Sequence, residues 1–110
     1  MKFINLTPHI INIKREGFEK SYKPSGIVAG IKELKGEFNV DMIREDELTT
    51  IENLPTKKEL TYYVVSMPTL LAMRSMGDNR KDVVTPISRG EGVVKDEKGR
   101  IFSVPGFRTF

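Results

Sequence analysis

The chain contains no cysteine. Neither a disulfide framework nor a thiolate metal site is therefore open to it, and the composition fits a reducing compartment. There is one histidine, His9. A single imidazole, without thiolates or carboxylates at ligand spacing, does not build a zinc site. Long apolar runs are also missing. The longest, Ile10-Ile11 and Tyr62-Tyr63-Val64-Val65, fall far short of the roughly 18 residues that a spanning helix needs. The opening Met1-Lys2-Phe3-Ile4-Asn5 meets polar residues too soon for a signal peptide. A cytoplasmic protein is expected.

The signatures of common enzymes are absent too. No serine stands in a Gly-x-Ser-x-Gly elbow. Gly30 and Gly36 are not followed by a Gly-Lys-Ser/Thr triplet, and no Gly-x-Gly-x-x-Gly opens a helix. The carboxylates Glu45, Asp46 and Glu47 fall in an acidic, solvated stretch rather than in an acid–base pair. No cofactor is expected. Only His9, with Asn5 and Thr7 beside it, keeps a catalytic reading open, because imidazole titrates near neutrality. The favoured reading of these three is structural, since Asn and Thr next to Pro8 tend to satisfy local backbone groups at a bend.

What the sequence does contain is one globular domain. It has 110 residues, 38% hydrophobic and 30% charged, which is one core's worth. The formal charge is +3 and unevenly placed. Residues 1–55 carry 8 Lys/Arg and 9 Asp/Glu, residues 56–110 carry 10 and 6. A pI near 9.2 suits anionic ligands, but no basic cluster is dense enough to read as a nucleic-acid surface.

The pattern predicts a mainly antiparallel sheet with one short helix. Phe3 to Leu6 is a short strand broken at Thr7-Pro8, because proline lacks an N–H. Residues 9–23 read as a hairpin turning at Arg15-Glu16-Gly17. Ile27, Ala29 and Ile31 alternate, as do Phe38, Val40 and Met42 after a turn at Lys35-Gly36-Glu37. Thr61 to Val65 is β-branched or aromatic throughout, a central strand covered on both faces. Ser66 is the expected helix cap and Pro68 suits the first turn. Met67, Leu70, Leu71, Met73 and Met76 recur at helical spacing, and Gly77 ends the helix. Asp78 to Arg89 reads as a loop. Residues 92–104 form a second hairpin around Asp96-Glu97-Lys98-Gly99, after which Pro105-Gly106-Phe107 turns the tail away. The fold class is α+β, with a partly closed barrel as the alternative.

One region reads as a binding site. Ser66 stands at the strand-to-helix junction, Arg74 lies on the helix, and Arg80 and Asp82 lie in the following segment. Arg100 belongs to the last hairpin and Phe107 to the tail. Arginines with an aromatic ring can clamp a phosphate and stack a base. The first functional expectation is a non-enzymatic binder of a small anionic, nucleotide-like ligand. The second is a protein–protein interaction or assembly module, acting on a host or phage protein or forming a homo-oligomer through strand edges.

Several segments together resemble a group of small proteins of bacteriophages and prophage-bearing bacteria. They are Asn5-Leu6-Thr7-Pro8-His9, Pro24-Ser25-Gly26, Tyr63-Val64-Val65-Ser66, Arg80 and Asp82 before Pro86, and Val94-Lys95-Asp96 with Gly99-Arg100-Ile101 and Gly106-Phe107. The opening pentapeptide is the most specific of them. The resemblance implies a phage-type accessory protein of the host cytoplasm that binds a host molecule. It carries no residue role with it. Lys95 stands beside Asp96 where an arginine is more typical of the group.

Overall fold

The computed structural model describes residues 1–33 and 49–110. The expected turn at residues 35–37, the strand of Phe38, Val40 and Met42, and the acidic stretch around residues 45–47 lie outside the described residues. The elements are β1 (Lys2–Asn5), β2 (Ile11–Arg15), β3 (Phe18–Tyr22), β4 (Gly30–Glu33), β5 (Thr49–Glu52), β6 (Thr61–Val64), α1 (Met67–Ser75), β7 (Val83–Pro86), β8 (Val94–Lys95), β9 (Ile101–Ser103) and β10 (Phe107–Arg108). The class is α+β, and four of the six described ladders are antiparallel. No closed barrel forms among the described residues, because the four-stranded sheet has ends at β1 and β10.

The core is a four-stranded sheet in the order β1-β6-β7-β10. Two of its three ladders, β1 with β6 and β6 with β7, are parallel, and β10 closes it antiparallel to β7. A parallel neighbour needs a crossover, and α1 supplies it between β6 and β7. The segment expected to be loop from Asp78 to Arg89 therefore contains a central strand, whose residues Val83, Val84 and Thr85 are all buried. The tail does not turn away either. Phe107 and Arg108 pair with Pro86 and Thr85.

Alternation along β6 separates two cores, since successive side chains point to opposite faces. Tyr63 and Val65 face the side covered by Leu70 and Met73 of α1, with Leu6, Ala29 and Val83. Val64, with Tyr62 packed at its edge, faces Ile11, Ile13, Val84 and Val104 on the other side. Each fully buried Leu, Met or Val contributes about 1.5–3 kcal/mol. A nine-residue helix is held by such packing rather than by its own propensity. Leu71 on the helix and Met76 just after it face solvent instead of the core. Nor do Ile27 and Ile31 reach the core, although Ala29 between them does.

The ends of α1 differ. Gly77 adopts φ +81°, which glycine tolerates best. Its N–H bonds Arg74 O and the N–H of Asp78 bonds Met73 O, closing the last turn in a Schellman arrangement. Ser66 holds the N-cap position, but its hydroxyl makes no capping bond. It pairs at 2.8 Å with the Thr69 hydroxyl. Both expected hairpins are present, β2–β3 with Gly17 at φ +72° and β8–β9 with Gly99 at φ +77°.

Candidate functional site

The register of β2–β3 decides what covers the second face of the sheet. Ile11 pairs with Tyr22, Ile13 with Lys20 and Arg15 with Phe18, so these six side chains share one face of the hairpin. Lys14 and Glu19 form a pair of the opposite set. Ile11 and Ile13 seat this face on Val64, Val84 and Val104. Beyond them the hairpin and sheet leave a cleft of about 390 Å³.

An aromatic cluster forms its floor. Phe3 and Tyr62 are neighbours in the β1–β6 register and stack at 5.3 Å between centroids. Phe107 lies 5.1 Å from Phe3. Tyr22 meets Phe3 and Phe107 edge-on at 5.8 and 5.5 Å. All four rings are half-buried, so each keeps surface turned to the cleft. The charged residues at the cleft, among the described ones, are Arg15 and Arg108, although pairing with Thr85 turns the Arg108 side chain to the face opposite Phe107; the Lys20 ammonium lies 5.0 Å over the Tyr22 ring. Among the described residues no carboxylate lines it.

Arg15 and Arg108 are held loosely. The Arg15 guanidinium lies 4.6 Å from the Phe18 ring centroid and donates one bond, from Nη1 to Pro105 O at 3.2 Å. Arg108 lies over the Phe110 ring at 5.2 Å. A guanidinium offers five N–H donors, so both retain donors for an anion.

The arginines expected to bind ligand lie away from this cleft. Arg74 donates Nη1 to Asp78 O at 2.6 Å, Nη2 to Arg80 O at 2.8 Å and to the Thr109 hydroxyl at 3.0 Å, and Nε to Phe110 O. It ties the chain after α1 to the tail. Arg80 forms a two-pronged pair with Asp82 at 3.0 and 2.7 Å. This pair lies beside Tyr63, on the helix side of the sheet. The Arg80 hydrogen bond holds the Asp82 carboxyl below the ordinary aspartate range; burial opposes it and the attraction of the Arg80 charge adds to it. Arg100 donates to Asp96 within β8–β9 at 3.2 Å. Ser66, Arg74, Arg80, Asp82, Arg100 and Phe107 thus do not form one site. Of the six, Phe107 alone lines the aromatic cleft.

Because Arg74 joins four acceptors, Arg74→Ala is expected to lower stability by about 2–3 kcal/mol. Arg74→Lys should recover only part of this, since an ammonium cannot reproduce the planar fork. Urea denaturation of the three proteins measures both. Equal stability of wild type and Arg74→Ala would remove the clip role.

The opening motif has a different use. Asn5 is buried, 2% exposed. Its Nδ2 donates to His9 O at 2.7 Å and to Tyr22 O at 3.0 Å. Its Oδ1 accepts from Thr7 N at 2.9 Å and from the Thr7 hydroxyl at 2.6 Å. One amide therefore knots the bend between β1 and β2 to the end of β3, where Tyr22 begins the cleft. Asn5 and Thr7 satisfy backbone groups at this bend. His9 takes part through its backbone, the carbonyl accepting and the N–H donating to the Thr7 hydroxyl, and the residue is exposed.

Sequence reasoning missed Phe3, Tyr22, Tyr62 and Arg15 as site residues. The one signal for them was alternation: each sits on the same strand face as a core residue or an established neighbour. Among the described residues no group of three or more His, Asp or Glu could hold a metal ion, and no helix is long and apolar enough to cross a membrane. No family model, curated protein or solved structure matches the chain.

Proposed function

We propose that this is a phage-type accessory protein of the host cytoplasm that binds a small anionic, nucleotide-like ligand without transforming it. The observation that carries the reading is the cleft, which sets four half-buried aromatic rings beside the Arg15 guanidinium and, among the described residues, no carboxylate. Aromatic faces stack planar rings and guanidinium groups take phosphate. The volume, about 390 Å³, lies at the small end of ligand pockets, roughly 300–1,000 Å³, and suits one mononucleotide-sized molecule.

Calorimetric titration with a panel of nucleotides tests this. Binding is expected for the wild type and is expected to weaken about 5–100-fold in Phe107→Ala, which removes one stacking ring. Heat from none of the nucleotides would overturn the reading. A second reading, a protein–protein module, is favoured by one feature, the exposed apolar residues Val94, Ile101 and Phe102 of β8–β9. Retention of nucleotide binding in Phe102→Ser separates the two surfaces.

A further inference from the structure

We infer that Phe18 is a positioning residue for the proposed site: with the Pro105 carbonyl it holds the Arg15 guanidinium so that the Nε–Nη2 edge is left for a single anionic group of the ligand. The inference rests on the ligand-binding reading above and adds what sets the cation on which that reading depends. Arg15 and Phe18 are the last pair of the β2–β3 ladder before the turn at Glu16 and Gly17. The side chains of such a pair share one face of the hairpin. The Arg15 guanidinium carbon lies 4.6 Å from the Phe18 ring centroid, a distance at which the ring face attracts the cation. Phe18 belongs to neither core and is 40% exposed, so burial does not account for its place.

The tail supplies the second fixed point. Arg15 Nη1 donates to Pro105 O at 3.2 Å, and the same nitrogen lies 3.5 Å from where a β-carbon on Gly106 would stand. The guanidinium thus fills the notch that Gly106 leaves. Among the described residues Nη1 is the only Arg15 nitrogen with an acceptor, and no carboxylate pairs with Arg15, the ion pairs being Arg80–Asp82 and Arg100–Asp96. Nε and Nη2 are therefore unspent. They form the edge that takes two oxygens of one oxyanion side by side. Arg15 lines the cleft whose floor is Phe3, Tyr62 and Phe107. A guanidinium on a free stem would lose rotamer freedom when it bound that anion. One already seated on a ring and a carbonyl has lost most of it beforehand.

Two consequences separate this role from plain stacking of the ligand on Phe18, which also lines the cleft. Because Phe18 acts through Arg15, its loss weakens anionic ligands and leaves neutral rings alone. Because one fork reads one anionic group, a nucleoside monophosphate satisfies it and further phosphates add little.

The test is calorimetric titration of wild type, Phe18→Ala, Phe18→Leu, Phe18→Tyr, Arg15→Ala and the double variant Arg15→Ala/Phe18→Ala with nucleoside 5′-monophosphates and the matching nucleosides and triphosphates. Circular dichroism confirms that each variant is folded. The wild type is expected to bind the monophosphate about tenfold or more tighter than the nucleoside, and the triphosphate within about threefold of the monophosphate. Arg15→Ala is expected to lose about 10- to 100-fold for the monophosphate and little for the nucleoside. Phe18→Ala and Phe18→Leu should lose about 3- to 10-fold for the monophosphate alone, and Phe18→Tyr, which keeps the ring face, should bind as the wild type does. The double variant should be no weaker than Arg15→Ala. Equal losses for nucleoside and monophosphate in Phe18→Ala, or a further loss in the double variant, would make Phe18 a stacking ring and overturn the positioning role. Equal affinity of the wild type for nucleoside and monophosphate would overturn it too, and either result leaves ligand binding in the cleft standing. Absence of binding by any nucleoside or nucleotide to the wild type would overturn both.

Discussion

Replacing Asn5 by alanine is expected to lower stability by about 3 kcal/mol, a fall in Tm on the order of 10–20 °C for a domain of this size. The expectation follows from what one buried amide serves. It bonds two carbonyls, of His9 and Tyr22, and accepts from the amide and the hydroxyl of Thr7. Alanine leaves all four partners behind, and Thr7 itself is buried at 8% exposure. A buried group left without a partner costs more than the bond it made contributed. Aspartate at the same position is the sharper variant. It keeps the acceptor for Thr7 but sets a carboxylate against two carbonyl oxygens, and is expected to destabilise at least as much as alanine at pH 7. His9→Ala is the control. Only its backbone, carbonyl and N–H, enters the knot, so the change is expected to stay within about 0.5 kcal/mol. Thermal and urea unfolding of the three variants measure this. A loss in Asn5→Ala no larger than in His9→Ala would show that the knot does not hold the bend.

The Asp82–Arg80 pair has the next largest expected effect. Asp82→Asn is expected to cost about 2–3 kcal/mol at pH 7, because the Asp82 carboxylate is buried and accepts both prongs of the guanidinium. The pair also predicts a pH dependence with a definite sign. The hydrogen bond from Arg80 holds the folded carboxyl below its ordinary value of 3.8. The unfolded chain therefore binds the proton more readily than the folded one. The stabilisation is present in full above the ordinary value and is lost as pH falls below it, through the lower folded value. The gap between wild type and Asp82→Asn is thus expected to be widest at neutral pH and to close below about pH 4. Urea denaturation of both proteins in steps from pH 7 to pH 3 follows it. A gap that does not change with pH would assign the loss to packing rather than to the ionised pair.

These two residues also show where sequence reading reached and where it stopped. Asn5 and Thr7 were legible as local hydrogen-bonding residues because a Pro bend needs partners nearby in the chain. That the same amide reaches Tyr22 was not legible, since the contact depends on how the hairpin folds back. Arg80 and Asp82 are two residues apart, so their pairing needs no distant part of the fold. That Arg74 and Arg80 already hold several hydrogen-bond partners was not legible for a related reason. In a sequence every guanidinium carries the same charge, and only the fold shows which carbonyls and carboxylates already occupy its donors.

Local chemistry in the sequence determined the strand Thr61–Val64, the helix that ends at Gly77, and the two hairpins around Gly17 and Gly99. In each case propensity, alternation or a turn residue acts within a few positions of the chain. The tertiary structure alone decided that β7 lies parallel to β6 in the centre of the sheet and that the tail returns as β10. It alone brought Phe3, Arg15, Tyr22, Tyr62, Phe107 and Arg108 around one cleft. The physical reason is the same throughout. Pairing between strands and stacking between rings are satisfied by proximity in space, and no spacing along the chain encodes which distant strand a short run such as Val83-Val84-Thr85 will join.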